Sequence, residues 1–235
     1  KMNRIYTGTK KRILIFLFAA ALSLVLIVIG LRLFRDRRYS IISVLILILF
    51  CVPFYFAYEH RKGDIRRLVI LSVMTAFAVL GRIIFAPVPG FKPTAAVVIL
   101  TGIYMGPESG FLCGSLAAII SNMAFGQGPW TPFMMFAFGA GGLFAGLPGF
   151  CTLLKKRLPL AVYGAVCGLC YSMIMDIWTV LSFDESWNLL RYGTALLASF
   201  PVTAEYAVSN VIFLMLMFRP FGERLERISK KHGIF

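Results

Sequence analysis

Charge is scarce in this chain of 235 residues: Asp, Glu, Lys and Arg together make up 14%, only 10 residues are acidic and only 2 are histidine. That scarcity excludes a soluble globular domain, in which about a quarter of the residues are charged. The sequence also lacks GxxxxGK[ST], HExxH and a convincing Ser/His/Asp set. ATP hydrolysis and proteolysis therefore have no machinery here, no catalytic residue is assigned, and energy must come from a gradient or another subunit. The 5 cysteines (Cys51, Cys113, Cys151, Cys167, Cys170) all lie in or at the edge of apolar runs, where they read as small hydrophobes. Cys167 and Cys170 form a CxxC, but with the histidines at positions 60 and 232 in basic segments it offers no plausible metal set. No cofactor or metal is expected.

What the chain has in abundance is apolar sequence, 59% of its residues, with a mean hydropathy of +0.83. Apolar runs fall at about 13–33, 40–57, 67–86, 94–105, 110–125, 131–153, 159–182 and 195–218. Spanning the hydrocarbon takes about 20 apolar residues, so the run at 94–105 is too short to cross alone and that at 110–125 is marginal. The turn sequence Gly106-Pro107-Glu108-Ser109-Gly110 between them suggests a short, tilted or broken pair packed against other helices. The first run follows basic residues as a signal peptide would, but it is too long for one and reads as a retained crossing.

The net charge of +14 is gathered between and beyond these runs, at Lys10-Lys11-Arg12, Arg61-Lys62, Arg66-Arg67, Lys155-Lys156-Arg157 and from Arg219 to Lys231. Short basic loops hold helix ends on the cytoplasmic side, so this charge speaks for a membrane and against nucleic acid. Placing the basic tail inside puts the 183–186, 122–133 and 87–93 connections outside. The segment with Arg32, Arg35, Arg37 and Arg38 then breaks the rule. Residues 1–60 are accordingly read as an accessory segment, one or two additional helices, and 61–235 as the functional six-helix unit of an all-α membrane protein.

The three outward connections are the chemically rich ones. PVPGFKP (87–93) includes Phe91 and Lys92, NMAFGQGPWTPF (122–133) includes Asn122, Gln127, Trp130 and Thr131, and the stretch from Phe183 to Tyr192 includes Trp187. Proline and glycine should make the first two stiff and tightly folded. A pocket combines apolar and aromatic walls with a few placed polar groups. The alternative is an interfacial Trp130 and a helix start, with Thr131 as cap and Pro132 at the first helical position. Two acids lie within apolar helices, Asp176 and Glu205, and ionisable groups at membrane depth mark a functional site by default. If the last helix begins at Pro201, both acids sit about 6–8 Å deep and could form a pocket floor; otherwise they are wetted headgroup-level groups or pair with Arg82 or Lys92. Small-xxx-small faces occur at Ser72 and Ala76 and at Gly139, Gly142 and Gly146, and serve either internal packing or a partner subunit.

The stretches RRLVILSVMTAFAVLGR, PVPGFKPTAAVVILTGIYMGPESGFLCGSLAAIISN and GQGPWTPFMMFAFGAGGLFAG resemble the substrate-binding (S) component of energy-coupling factor (ECF) vitamin transporters. The resemblance implies a six-helix membrane subunit, here preceded by one or two extra N-terminal helices, in a prokaryotic cell membrane with its C-terminus in the cytoplasm. It implies partners: a vitamin ligand, a membrane coupling subunit and two ATPases. The family's AxxxA docking face maps onto Ser72 and Ala76, with Ser replacing the first Ala. Its ligand loops correspond to the three outward connections; with Met135, Asp176 and Glu205 on the helices beside them, the expected substrate-binding residues are Phe91, Lys92, Asn122, Gln127, Trp130, Thr131, Met135, Asp176, Trp187 and Glu205. GPWTPF-type members suggest cobalamin or a related corrinoid, with riboflavin or another vitamin as the alternative. A proton- or sodium-coupled secondary transporter, with Asp176 or Glu205 carrying the proton, is the competing class.

Overall fold

The structure, a computed structural model, describes residues 65–184 and 188–232, and every regular element among them is helical. The helices are α1 (Ile65–Ile84), α2 (Thr94–Met105), α3 (Pro107–Phe125), α4 (Thr131–Ala145), a short α5 (Phe150–Leu154), α6 (Arg157–Asp184) and α7 (Leu189–His232). The accessory segment 1–60 and Trp187 lie outside the described residues. Helices α1, α3, α6 and α7 are long and apolar enough to cross a membrane, while α2 and α4 are shorter apolar helices. The chain is an all-α membrane protein.

The short helices survive because they are the most enclosed. Ten of the twelve residues of α2 are buried, and α3 and α4 cover it. Glycine makes that layer tight: a Cβ on Gly102 or on Gly110 would strike the Gly142 carbonyl, and one on Gly139 would lie 2.7 Å from the Phe111 ring. The strip Gly139, Gly142 and Gly146 therefore serves internal packing, resolving an alternative that spacing alone left open. Ser72 and Ala76 are on the opposite kind of face, exposed on α1 beside Val73, Phe77 and Leu80.

Two boundaries and one cap differ from the sequence reading. The run 131–153 divides into two helices: α4 stops at Ala145, and α5 starts after Gly149, whose φ of +85° an L side chain rarely adopts. Thr131 is not the cap of α4 but its first residue; Trp130 holds the cap position and makes no side-chain cap hydrogen bond. The last helix does not begin at Pro201. It starts at Leu189, after Asn188, whose Oδ1 accepts from the amides of Leu190 (3.0 Å) and Arg191 (3.3 Å), and runs through Pro201. The expected shared depth of the two acids fails with it. Asp176 accepts a 2.6 Å hydrogen bond from Ser199, whereas Glu205 lies six residues further along α7, about 9 Å at 1.5 Å per residue.

At the basic end, α7 continues as one helix past Pro220 and packs against the bundle. Gly222 sits against the Tyr104 ring, Phe221 packs edge-on to Phe77 (5.5 Å), and Lys155 pairs with Glu226 at 3.1 Å.

Candidate functional site

At the opposite end the connection between α1 and α2 is pinned rather than loose. Gly90 takes a φ of +68° and lies directly against the Glu205 side chain, leaving no room for a Cβ. The Lys92 amide donates to Ser209 Oγ at 2.9 Å, and Phe91 packs on Phe213 (4.8 Å between centroids) and Phe85 (6.2 Å). This fixes Lys92 over the helix ends. The stiffness expected of PVPGFKP is realised through α7.

Beneath Lys92 lies a cavity of about 70 Å³, roughly five water positions. Its polar border is Arg82 from α1, Lys92, Thr94 from α2, and Tyr171, Tyr206 and Asn210 from α6 and α7. Small residues leave the space open, among them Ala95, Ala137 and Gly141, while Gly168 lets the α7 backbone approach at Ala207. Phe138 stacks on Tyr171 (4.6 Å, 27°), and Tyr206 meets Tyr171 edge-on at 5.1 Å, which makes an aromatic corner.

Arg82 is held from behind. Its guanidinium donates to Ser121 Oγ and, at 2.8 Å, to Asn122 Oδ1 on α3. Asn122 Nδ2 donates at 2.9 Å to Thr131 Oγ1, Thr131 donates to Gln127 Oε1 at 3.0 Å, and Gln127 Nε2 donates to the Ile119 carbonyl at 2.7 Å. A chain of side chains thus runs from the 126–130 connection to the cavity's arginine. The Phe125 ring faces both cations, 5.1 Å from Arg82 and 5.8 Å from Lys92 Nζ. Burial, and then the Arg82 charge, hold Lys92 below the ordinary lysine range. Among the described residues neither cation has an ion-pair partner, and no acid borders the cavity.

Of the residues singled out in the sequence, Lys92 borders this cavity directly. Phe91 backs it in the aromatic cluster, while Asn122, Gln127 and Thr131 stand behind Arg82. Trp130 is 36% exposed and lies over Gly128, and Met135 packs with Phe111, Ala118 and Met134. Asp176 and Glu205 do not border the cavity; the first is bonded to Ser199 and the second is exposed against Gly90. Sequence reasoning missed Arg82, Phe138, Tyr171, Tyr206 and Asn210 as cavity residues. The rule that picked the two acids, an ionisable group within an apolar run, applies equally to Arg82. The two tyrosines carry no comparable mark. Asn210 does bond a neighbouring helix, donating to the Gly164 carbonyl at 3.1 Å, and it also borders the cavity.

A bundle in which four helices are of membrane length, with a small cation-bordered chamber between them, defines a membrane protein. The chain belongs to the family described as ECF transporter, substrate-specific component, which matches residues 66–232. It is therefore the substrate-specific membrane subunit of a transporter and not a member of an enzyme family. It is also similar to a UPF0397 protein of Aliivibrio salmonicida (strain LFI1238), 27% identical over 135 residues, which cover 55% of this chain and 67% of that one. No solved structure matches the chain.

Proposed function

We propose that this subunit binds a vitamin or vitamin precursor in the cavity between Arg82, Lys92 and Tyr171, and hands it on after docking to a module of one membrane coupling subunit and two ATPases. The observation that carries this reading is the pair of cations bordering an apolar, aromatic chamber with no acid in its lining among the described residues. Buried charge without a partner is costly, so a site that keeps it is arranged for a ligand to complete. The cavity end faces outward and the basic C-terminal end lies in the cytoplasm of a prokaryotic cell, in keeping with the excess of Lys and Arg at the latter. The exposed Ser72 and Ala76 strip on α1 is the docking face. Asn122, Gln127 and Thr131 act on the ligand through Arg82, and Trp130 and Met135 shape the wall behind it.

The corrinoid expected from GPWTPF sits poorly with a chamber of about 70 Å³. That volume favours compounds of one or two fused rings with short substituents. The secondary-transporter reading loses support because Asp176 and Glu205 both lie off the cavity.

The test is uptake in proteoliposomes, with the purified chain alone and together with its ATPase module. Uptake that needs the module and ATP supports the proposal. Uptake by the chain alone, driven by a proton or sodium gradient, overturns it.

A further inference from the structure

The donors and acceptors around the cavity are unequal, and their inequality describes the ligand. Lys92 Nζ and the hydroxyls of Tyr171 and Tyr206 make no hydrogen bond to any described residue. Arg82 spends one terminal nitrogen on Ser121 and Asn122, and the other meets only the weak acceptor Met134 Sδ at 3.8 Å. Acceptors are present too, in Asn210 Oδ1 and the hydroxyl oxygens of Thr94, Tyr171 and Tyr206, but Arg82 and Lys92 offer donors only; Thr94 donates to the Ala78 carbonyl and Asn210 Nδ2 to that of Gly164. A ligand that completes this border must bring acceptors, and negative charge, to the Arg82 and Lys92 side.

The shape of the chamber narrows the choice further. Phe138 and Tyr171 lie nearly parallel while Tyr206 stands at 76° to Tyr171, so the walls form a corner that a flat ring fills with one stacked and one edge contact. Opposite, Ala95, Val98 and Ile99 of α2 are apolar. Roughly five water positions hold one ring, or two fused rings, with short substituents. Arg82 and Lys92 both face the Phe125 ring, so a single carboxylate can engage both, one oxygen to each.

We infer that the substrate is a compact planar monocarboxylate, its carboxylate between Arg82 and Lys92 and its ring in the corner of Phe138, Tyr171 and Tyr206. This rests on the proposed binding role and adds the ligand's chemical class.

The test uses the full chain in detergent, stripped of bound small molecules by reversible denaturation or exhaustive exchange. Calorimetric titrations compare a panel of flat ring carboxylates (benzoate, nicotinate, indole-3-carboxylate, quinoline-3-carboxylate) with the primary amide of each. At least one carboxylate should bind 10-fold or more tightly than its own amide. Arg82→Gln and Lys92→Gln should each remove most of that preference while leaving amide binding within about 3-fold. Lys92→Gln keeps the test open if Arg82→Gln unfolds, because Lys92 anchors the loop through its backbone and not its side chain. Equal binding of acids and amides, no carboxylate bound across the panel, or retention of the preference in both variants overturns the ligand class. Module-dependent uptake of a different molecule, such as a corrinoid, would overturn the class while leaving the transporter role intact. Module-independent uptake would remove the transporter role itself.

Discussion

Two adjacent glycines on α4 face opposite fates. Gly142 meets the backbone of Gly110, with which a Cβ would collide, whereas a Cβ on Gly141 would meet only the Cys167 sulfur at an ordinary 3.6 Å and otherwise project toward the cavity. One glycine brings two backbones together and the other keeps a chamber open. The same contrast divides the bundle. On one side of α4 glycines pack it directly onto α3 and onto Gly102 of α2; on the other, toward α6 and α7, Ala137 and Gly141 leave a space bordered by aromatic rings and by two cations with no ion-pair partner among the described residues. A small residue closes a gap where a neighbour packs directly onto it and leaves one open where none does.

The contrast can be broken first at its closed side. Gly142→Ala forces the α3 and α4 backbones apart and should destabilise the chain by about 3 kcal/mol, the upper end of overpacking costs, seen as a lower melting temperature in detergent and loss of a monodisperse peak. Gly141→Ala should sharpen it. Its effect on melting should stay within about 1 kcal/mol, since alanine is the better helix former, but substrate affinity should fall about 10-fold, or about 1.4 kcal/mol, in a calorimetric titration.

A smaller effect concerns pH. Lys92 is held below its ordinary value of 10.5 in the folded chain, so between its lowered value and 10.5 the unfolded chain binds more protons than the folded one. Stability of the unliganded protein should therefore rise with pH across that window. Affinity for an anionic substrate should fall across it, as Lys92 loses its charge, and Lys92→Gln should flatten both trends. The least effect belongs to the basic end: breaking the exposed Lys155 and Glu226 pair with Lys155→Ala should cost less than about 1 kcal/mol, within the range of surface ion pairs, and leave substrate titrations unchanged.

Much of this architecture was legible in the residues. The bounds of α2, the break at Gly106-Pro107, the start of α4 at Thr131 and the stiffness of the 87–93 connection all follow from apolar length and from proline and glycine. The start of α7 could have been read from Asn188, a favoured cap residue; the interior Pro201 concealed it. The site was half legible. Lys92 borders the cavity, whereas Asn122, Gln127 and Thr131, singled out as a cluster, stand behind Arg82, a distinction of position that a single sequence does not carry. The two acids drew attention by being costly at membrane depth, yet Ser199 and the Gly90 turn account for their positions. The chamber itself comes from α1, α2, α4, α6 and α7 meeting at one level. No periodicity within any one of them records that Tyr171 and Tyr206 face the same empty volume.

The central claim is where the substrate sits. An experimentally determined structure of the full chain with the small molecule that copurifies with it tests this most directly. Ligand density is expected among Arg82, Lys92, Tyr171 and Tyr206, with Asn122 bonded to Arg82 and to Thr131 rather than to the ligand. Density lodged instead against Gln127 and Trp130, or between Asp176 and Glu205, with the Arg82 chamber empty, would contradict it.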